Sequence, residues 1–278
     1  MLRFVALLIE DYVDEWLWRP AMYYRWAFLQ SRQYASGVLA DELLSHLPIP
    51  RPVKRRLLVR RQYGGFVRGD GVNRESRSHV EGTTLAAFAR LEAILRERRF
   101  VLGDVPTIAD FGLMGPMFRH FSQDPTPSEL MRSVAPGVFA WVGRMWNVRR
   151  GEVSARLIGE IDSPLAALIA ESGRTHLAQL KANAQAFAQG LSRYEQTIEG
   201  VRYHRVPVSR YRVWCLEELI RHWRELDPQS RARVSLHLPR GAANLLESGA
   251  VERASGVDPE GRAPFHRAIN VFGDGIPP

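Results

Sequence analysis

A single cysteine, Cys215, stands in 278 residues, which excludes an internal disulfide framework and any zinc cluster built on cysteine. Lysine is nearly missing too: Lys54 and Lys181 are the only two, so the net charge of +8 is an arginine charge. GC-rich codon usage accounts for such a bias more simply than a nucleic-acid partner does. The one dense basic run, Arg51, Lys54, Arg55, Arg56, Arg60, Arg61 and Arg68, has only Tyr63 and Phe66 as nearby aromatics and no nucleic-acid motif beside it. It reads as a solvated face, with an anionic ligand, a phosphate backbone or an acidic partner surface as the alternatives. Long apolar runs are also lacking. Glu10 and Asp11 cut off the apolar stretch near Met1, which is too short for a signal peptide or a membrane span. A cytoplasmic protein is the expectation.

Catalytic patterns are equally scarce. The eight histidines, from His46 to His266, form neither His-x-x-x-His nor His-Glu-x-x-His, so no metal site is expected. No serine has the setting of a nucleophile elbow. Gly64-Gly65 does not lead into a Lys-Ser/Thr helix, so no phosphate-cradling loop is read. The pairs Asp14-Glu15 and Glu217-Glu218 are expected to be solvated. Cys215, between Trp214 and Leu216 on a helical pattern, reads as a small buried hydrophobe. No catalytic residue is assigned.

What is present is helical periodicity. Hydrophobic residues make up 45% of the chain and charged residues 24%, the balance of a globular protein. Val5, Leu8, Ile9, Tyr12, Val13 and Trp16 keep helical spacing, which predicts a helix over 3–36, kinked at Pro20. Pro48, Pro50 and Pro52 mark a loop, followed by a short basic helix. Gly64-Gly65 and Gly69-Asp70-Gly71 read as turns. Further helices are expected over 75–98, from Thr107 onward with a bend at Pro116, and over 137–148. Beyond Gly151 the pattern predicts helix over 163–193, a small hairpin over 194–208 turning at Glu199-Gly200, and an amphipathic helix over 209–226. Asp227-Pro228 ends that helix, another short helix follows, and the tail from Gly241 reads as loosely packed.

The densest signal is Val105-Pro106-Thr107-Ile108-Ala109-Asp110-Phe111-Gly112. Thr107 and Asp110 have capping-box spacing, Pro106 and Phe111 sit at hydrophobic-staple positions, and an apolar run follows. A helix so apolar on all faces is expected in the middle of a core, with Gly112 and Gly115 admitting close neighbours. Thr107 and Asp110 are therefore read as structural, the cap being worth about 1 kcal/mol.

The segment from Phe100 to Leu113 closely resembles the signature of the glutathione S-transferase C-terminal domain. Supporting pieces are Arg119-His120-Phe121, Asp124-Pro125-Thr126-Pro127 and the stretch from Ala135 to Met145. Upstream, Leu8–Trp16 and Tyr23-Tyr24-Arg25-Trp26 resemble that domain's long first helix. The resemblance spans roughly 3–148. It implies an all-α fold in two parts: a transferase-type helical bundle over 1–150, then a mainly helical extension over 151–278 with the hairpin and the loose tail.

In that family a thioredoxin-like domain comes first, binds the co-substrate glutathione and supplies the catalytic Ser, Tyr or Cys. Met1 falls where the helical domain begins, so the expectation is either a truncated chain or one that works without the usual catalytic half. Val206-Pro207-Val208 does not replace it, because the surrounding βαβ frame is missing. By resemblance, the first helix lines the cleft for a hydrophobic electrophile, through Tyr12, Trp16, Arg19, Tyr23 and Trp26. Trp16 and Trp26 are the expected core members, Arg19 and Tyr23 the ones expected to face a cleft. The implied reading is the acceptor-binding, dimer-forming portion of a glutathione-dependent transferase, inactive alone. The implied partners are a second copy, a thioredoxin-like domain or another chain. The alternative is a non-catalytic binding or assembly module.

Overall fold

The computed structural model describes residues 1–249 and 251–257. The fold is all-α apart from one two-stranded antiparallel sheet. Its central element is α1 (Leu2–Tyr12), which passes through a π-helical turn (Val13–Leu17) into α2 (Trp18–Ala27). Pro20 removes one backbone donor, and its ring would crowd the carbonyl four residues back. The widened turn just before it accommodates that crowding without ending the helix. The break comes instead at Phe28, whose extended backbone starts α3 (Leu29–Glu42). The expected 3–36 helix is therefore two helices, irregular at 13–17.

The basic helix α4 (Arg51–Gln62) follows, running into a second π-helical segment, Tyr63–Arg68. Gly64 and Gly65 belong to that segment rather than to a turn. The turn lies at Gly69–Gly71, where Gly71 has φ +83 and a side chain would meet Val206 and His204. Next come α5 (Arg77–Glu97), α6 (Ile108–Pro116) with a π-helical end at Met117–Phe121, α7 (Pro125–Val134) and α8 (Pro136–Asn147).

The chain then folds back onto α1 through α9 (Ser163–Arg174) and α10 (His176–Ala188), the hairpin β1 (Arg193–Ile198) and β2 (Val201–Pro207), and α11 (Arg210–Arg224). Glu199 at φ 49 and Gly200 at φ 82 form the hairpin turn, a two-residue loop whose left-handed pair matches the strands' twist. Asp227 caps α12 (Pro228–Ser235) by accepting from the Ser230 amide. Part of the tail read as loose is ordered: α13 (Arg240–Ser248) buries Ala242 and Leu246 against the core. Gly173 lets Pro239 approach closely. The rest of that tail, with His266, lies outside the described residues.

One hydrophobic core joins both halves of the chain, from Phe4 through Trp141 to Leu246. α1 sits inside it, packed on α6, α9 and α11. Its acids are consequently not a solvated stripe. Glu15 meets the buried Arg212 at 2.7 Å and Asp11 meets the buried His176 at 2.7 Å. Glu217, likewise expected in solvent, accepts from the amide and hydroxyl of Ser255.

Candidate functional site

The five first-helix residues lie on one continuous rod but have different surroundings. Trp16 and Trp26 are core residues. The Tyr12 hydroxyl donates to Glu171 Oε1 at 2.7 Å beneath α9, and burial pushes its pKa up. Arg19, expected at a cleft, is 1% exposed. Its guanidinium lies between the rings of Trp16 and Tyr203, 4.7 and 4.8 Å from their centroids, pairs with Asp70 at 2.8 Å and donates to Gln179 at 2.6 Å. The hairpin supplies Tyr203 and α10 supplies Gln179, while Asp70 comes from the 69–71 turn, so the later part of the chain closes part of the side on which a ligand would enter. Such a pair offsets the cost of burying charge only through several hydrogen bonds at once.

Tyr23 alone of the five borders an open cleft, of about 680 Å³, between α2, the 63–77 segment and β2. Its hydroxyl donates to Glu81 Oε1 at 2.6 Å. Burial, then that carboxylate, pushes its pKa up, and the proton is already engaged. Tyr23 is therefore unsuited to donating to a thiolate sulfur.

Thr107 and Asp110 form a capping box at the start of α6. Asp110 is fully buried and its two oxygens accept from the Val101 and Thr107 amides, the Thr107 hydroxyl and the Trp141 indole, at 2.9 to 3.2 Å. Burial raises its pKa while those four donors pull it down. This is a structural knot tying the 100–107 loop to α6 and α8.

α6 is not covered on all sides. Ile108 is 46% exposed and Phe111 62%. Gly115 has nothing within 4 Å of a Cβ position. One turn on, Phe118 stacks at 4.8 Å on Trp146, itself 68% exposed. These residues follow helical spacing and form an apolar stripe on the outer face of α6. The sequence offered no sign of it, because the apolar run shows no polar side.

A second cleft, of about 380 Å³, lies between α1 and α11 and is bordered by Glu10, Asp14, Tyr211, Cys215 and His222. Burial, then Asp14 and Asp11, pushes Glu10 up to about 7. Cys215 is buried, and burial beside Asp11 and Glu15 pushes its thiol far up, which favours the protonated thiol over the thiolate. His120, buried beside Arg25 and Arg119, is pushed down to about 3 and stays neutral. Among the described residues no group of three or more His, Cys, Asp or Glu is placed to hold a metal ion. No helix among them is long and apolar enough to cross a membrane.

Residues 74–144 match the family model described as Glutathione S-transferase, C-terminal domain. That span holds α5 to α7, most of α8 and the capping centre. No curated protein and no solved structure matches the chain.

Proposed function

We propose that this chain, which contains a glutathione S-transferase C-terminal domain at residues 74–144, is the helical portion of a glutathione-dependent transferase and works against a docked thioredoxin-like unit. The observation that carries this reading is the bare stripe of Ile108, Phe111 and the Phe118–Trp146 stack. It lies on the capped helix of the matched segment, where the core would otherwise be expected to close. Contiguous exposed apolar surface marks an interaction site. Glutathione would then be held by the docked unit. Among the described residues, neither Tyr23, bonded to Glu81, nor Cys215, buried, is placed to take the place of the family's catalytic Ser, Tyr or Cys. Little or no transferase activity is expected of this chain by itself.

The second reading, a non-catalytic binding or assembly module on the same bundle, draws support from a different observation. Tyr12, Trp16 and Arg19 are sealed beneath the later helices and the hairpin, and Trp26 is buried in the core. Only Tyr23 is left to touch a hydrophobic acceptor. A homodimer through the α6 stripe is the competing use of that face.

The test joins three measurements. Complexes holding this chain are isolated from its source cells and the bound unit identified by mass. The purified chain is assayed for glutathione conjugation to a chromogenic electrophile and sedimented with and without Phe111→Glu. A thioredoxin-like unit, in the same or a second polypeptide, is expected, with association weakened by Phe111→Glu and conjugation by the chain alone at buffer background. A bound unit of another architecture supports the module reading. Turnover by the chain alone, or association indifferent to Phe111→Glu, overturns the proposal.

A further inference from the structure

The cleft above Tyr23 has a chemistry that the α6 stripe does not share. Four arginines border it: Arg68 at the end of the π-helical segment, Arg74 and Arg77 around the start of α5, and Arg205 on β2. No carboxylate is among the residues lining it. None of the four forms an ion pair among the described residues, whereas Arg19, Arg25 and Arg212 each lie against an acid. Guanidinium groups gathered from three separate chain segments repel one another unless an anion lies between them.

The hairpin is distorted at this place. Tyr194 pairs with Val206 and Gln196 with Tyr203, so Glu195 opposes both His204 and Arg205. This is a β-bulge, and Arg205 takes its left-handed position at φ 55. The buried residues of β2 are accordingly Tyr203 and Val206, three apart rather than two. The extra residue brings two consecutive side chains, His204 and Arg205, to the cleft, the re-aiming that bulges perform beside sites. His204 is already paired with Glu195 and Glu75, which leaves Arg205 as the unpaired charge of the two among the described residues. Opposite, the Arg68 guanidinium lies 5.3 Å from the Tyr63 ring centroid, which limits its freedom before any ligand arrives.

We propose that this cleft binds a small organic anion bearing two or more negative charges. Guanidinium forks match paired carboxylate or phosphate oxygens, and a single charge would leave most of the four arginines unanswered. Tyr23, Tyr63 and Val72 supply an apolar wall for the ligand's body. A cleft of about 680 Å³ is the size of a small-molecule site. The inference does not depend on what docks at α6, since the two surfaces share no residue.

The test is calorimetric titration of the full chain with citrate and, separately, with inorganic pyrophosphate, at about 0.15 M salt. One saturable site is expected. Arg77→Ala and Arg205→Gly should each weaken it about tenfold, the scale of one lost charge-assisted contact. Arg205→Gly also relieves the left-handed backbone, so its effect cannot be blamed on misfolding. Arg60→Ala, on an exposed helix position outside the cleft, should change nothing. Preference for citrate assigns a carboxylate ligand, preference for pyrophosphate a phosphate. No saturable binding of either, an equal loss in Arg60→Ala, or uptake only of long RNA overturns the proposal.

Discussion

Glu10 shows how a single side chain carries the consequence of its element's position. It sits on the central helix rather than on an outer one, beside Gly112 of α6 and facing Asp14 and Asp11. Burial first, and those acids second, push its pKa up to about 7, well above the ordinary glutamate value. Between the ordinary value and 7 the folded state holds a proton that the unfolded state has released. Folding stability therefore falls as pH rises through that window and is lowest above it. Because Glu10 is partly open to solvent, the loss is about 1 kcal/mol rather than the full shift. Glu10→Gln should raise the melting temperature at pH 8 and flatten its fall between pH 5 and 7. A variant melting curve that still drops over this range would assign the effect to Asp14, which burial also raises.

At the scale of an element, α6 has two glycines with opposite roles. A Cβ on Gly112 would stand 2.8 Å from Glu10 Cγ and 3.1 Å from its Cα. The close crossing of α1 and α6 thus needs a residue without a side chain. Gly115, read from the sequence as a second close-approach site, faces open space. Gly112→Ala should lower stability by about 1–3 kcal/mol through overpacking. Gly115→Ala should raise it by up to about 1 kcal/mol through helix propensity. Thermal unfolding of both variants checks the pair, and a stabilised Gly112→Ala would mean that α1 moves away at little cost.

For the whole molecule, the extension serves as half of the wall around α1. Arg19 is held through Gln179, Glu15 through Arg212, Tyr12 through Glu171, and Phe4 meets Trp223 edge-on at 5.1 Å. A fragment ending at residue 150 would uncover Phe4, Tyr12 and Trp16 and leave buried charges without partners, at several kcal/mol in all. It should aggregate or bind a hydrophobic dye strongly, and melt well below the full chain. A cooperative, unshifted melt of that fragment would mean that the two halves are independent folding units.

Much of this was legible beforehand, for physical reasons. Helical spacing, the Thr107–Asp110 box and the Glu199-Gly200 turn are local, because they depend on hydrogen bonds and backbone preferences within a few residues. They gave the all-α class, the capped helix and the hairpin in place. The expected loose packing from Gly241, the solvation of Glu15 and the open setting of Arg19 concerned surfaces that only distant segments can cover. Those depended on α9 to α11 returning over α1, a matter of long-range packing that periodicity does not encode. The same holds for the arginines above Tyr23. Arg68 ends the basic run, but Arg74, Arg77 and Arg205 are unremarkable in a sequence rich in arginine, and only the fold gathers the four around one cleft. By itself the sequence determined most of the helical segments, where one is capped and where the hairpin turns, but not the break at Phe28 or the helix α13. The tertiary structure decided which aromatic faces are closed and which charges meet, because burial is a property of neighbours and neighbours are set by the whole chain.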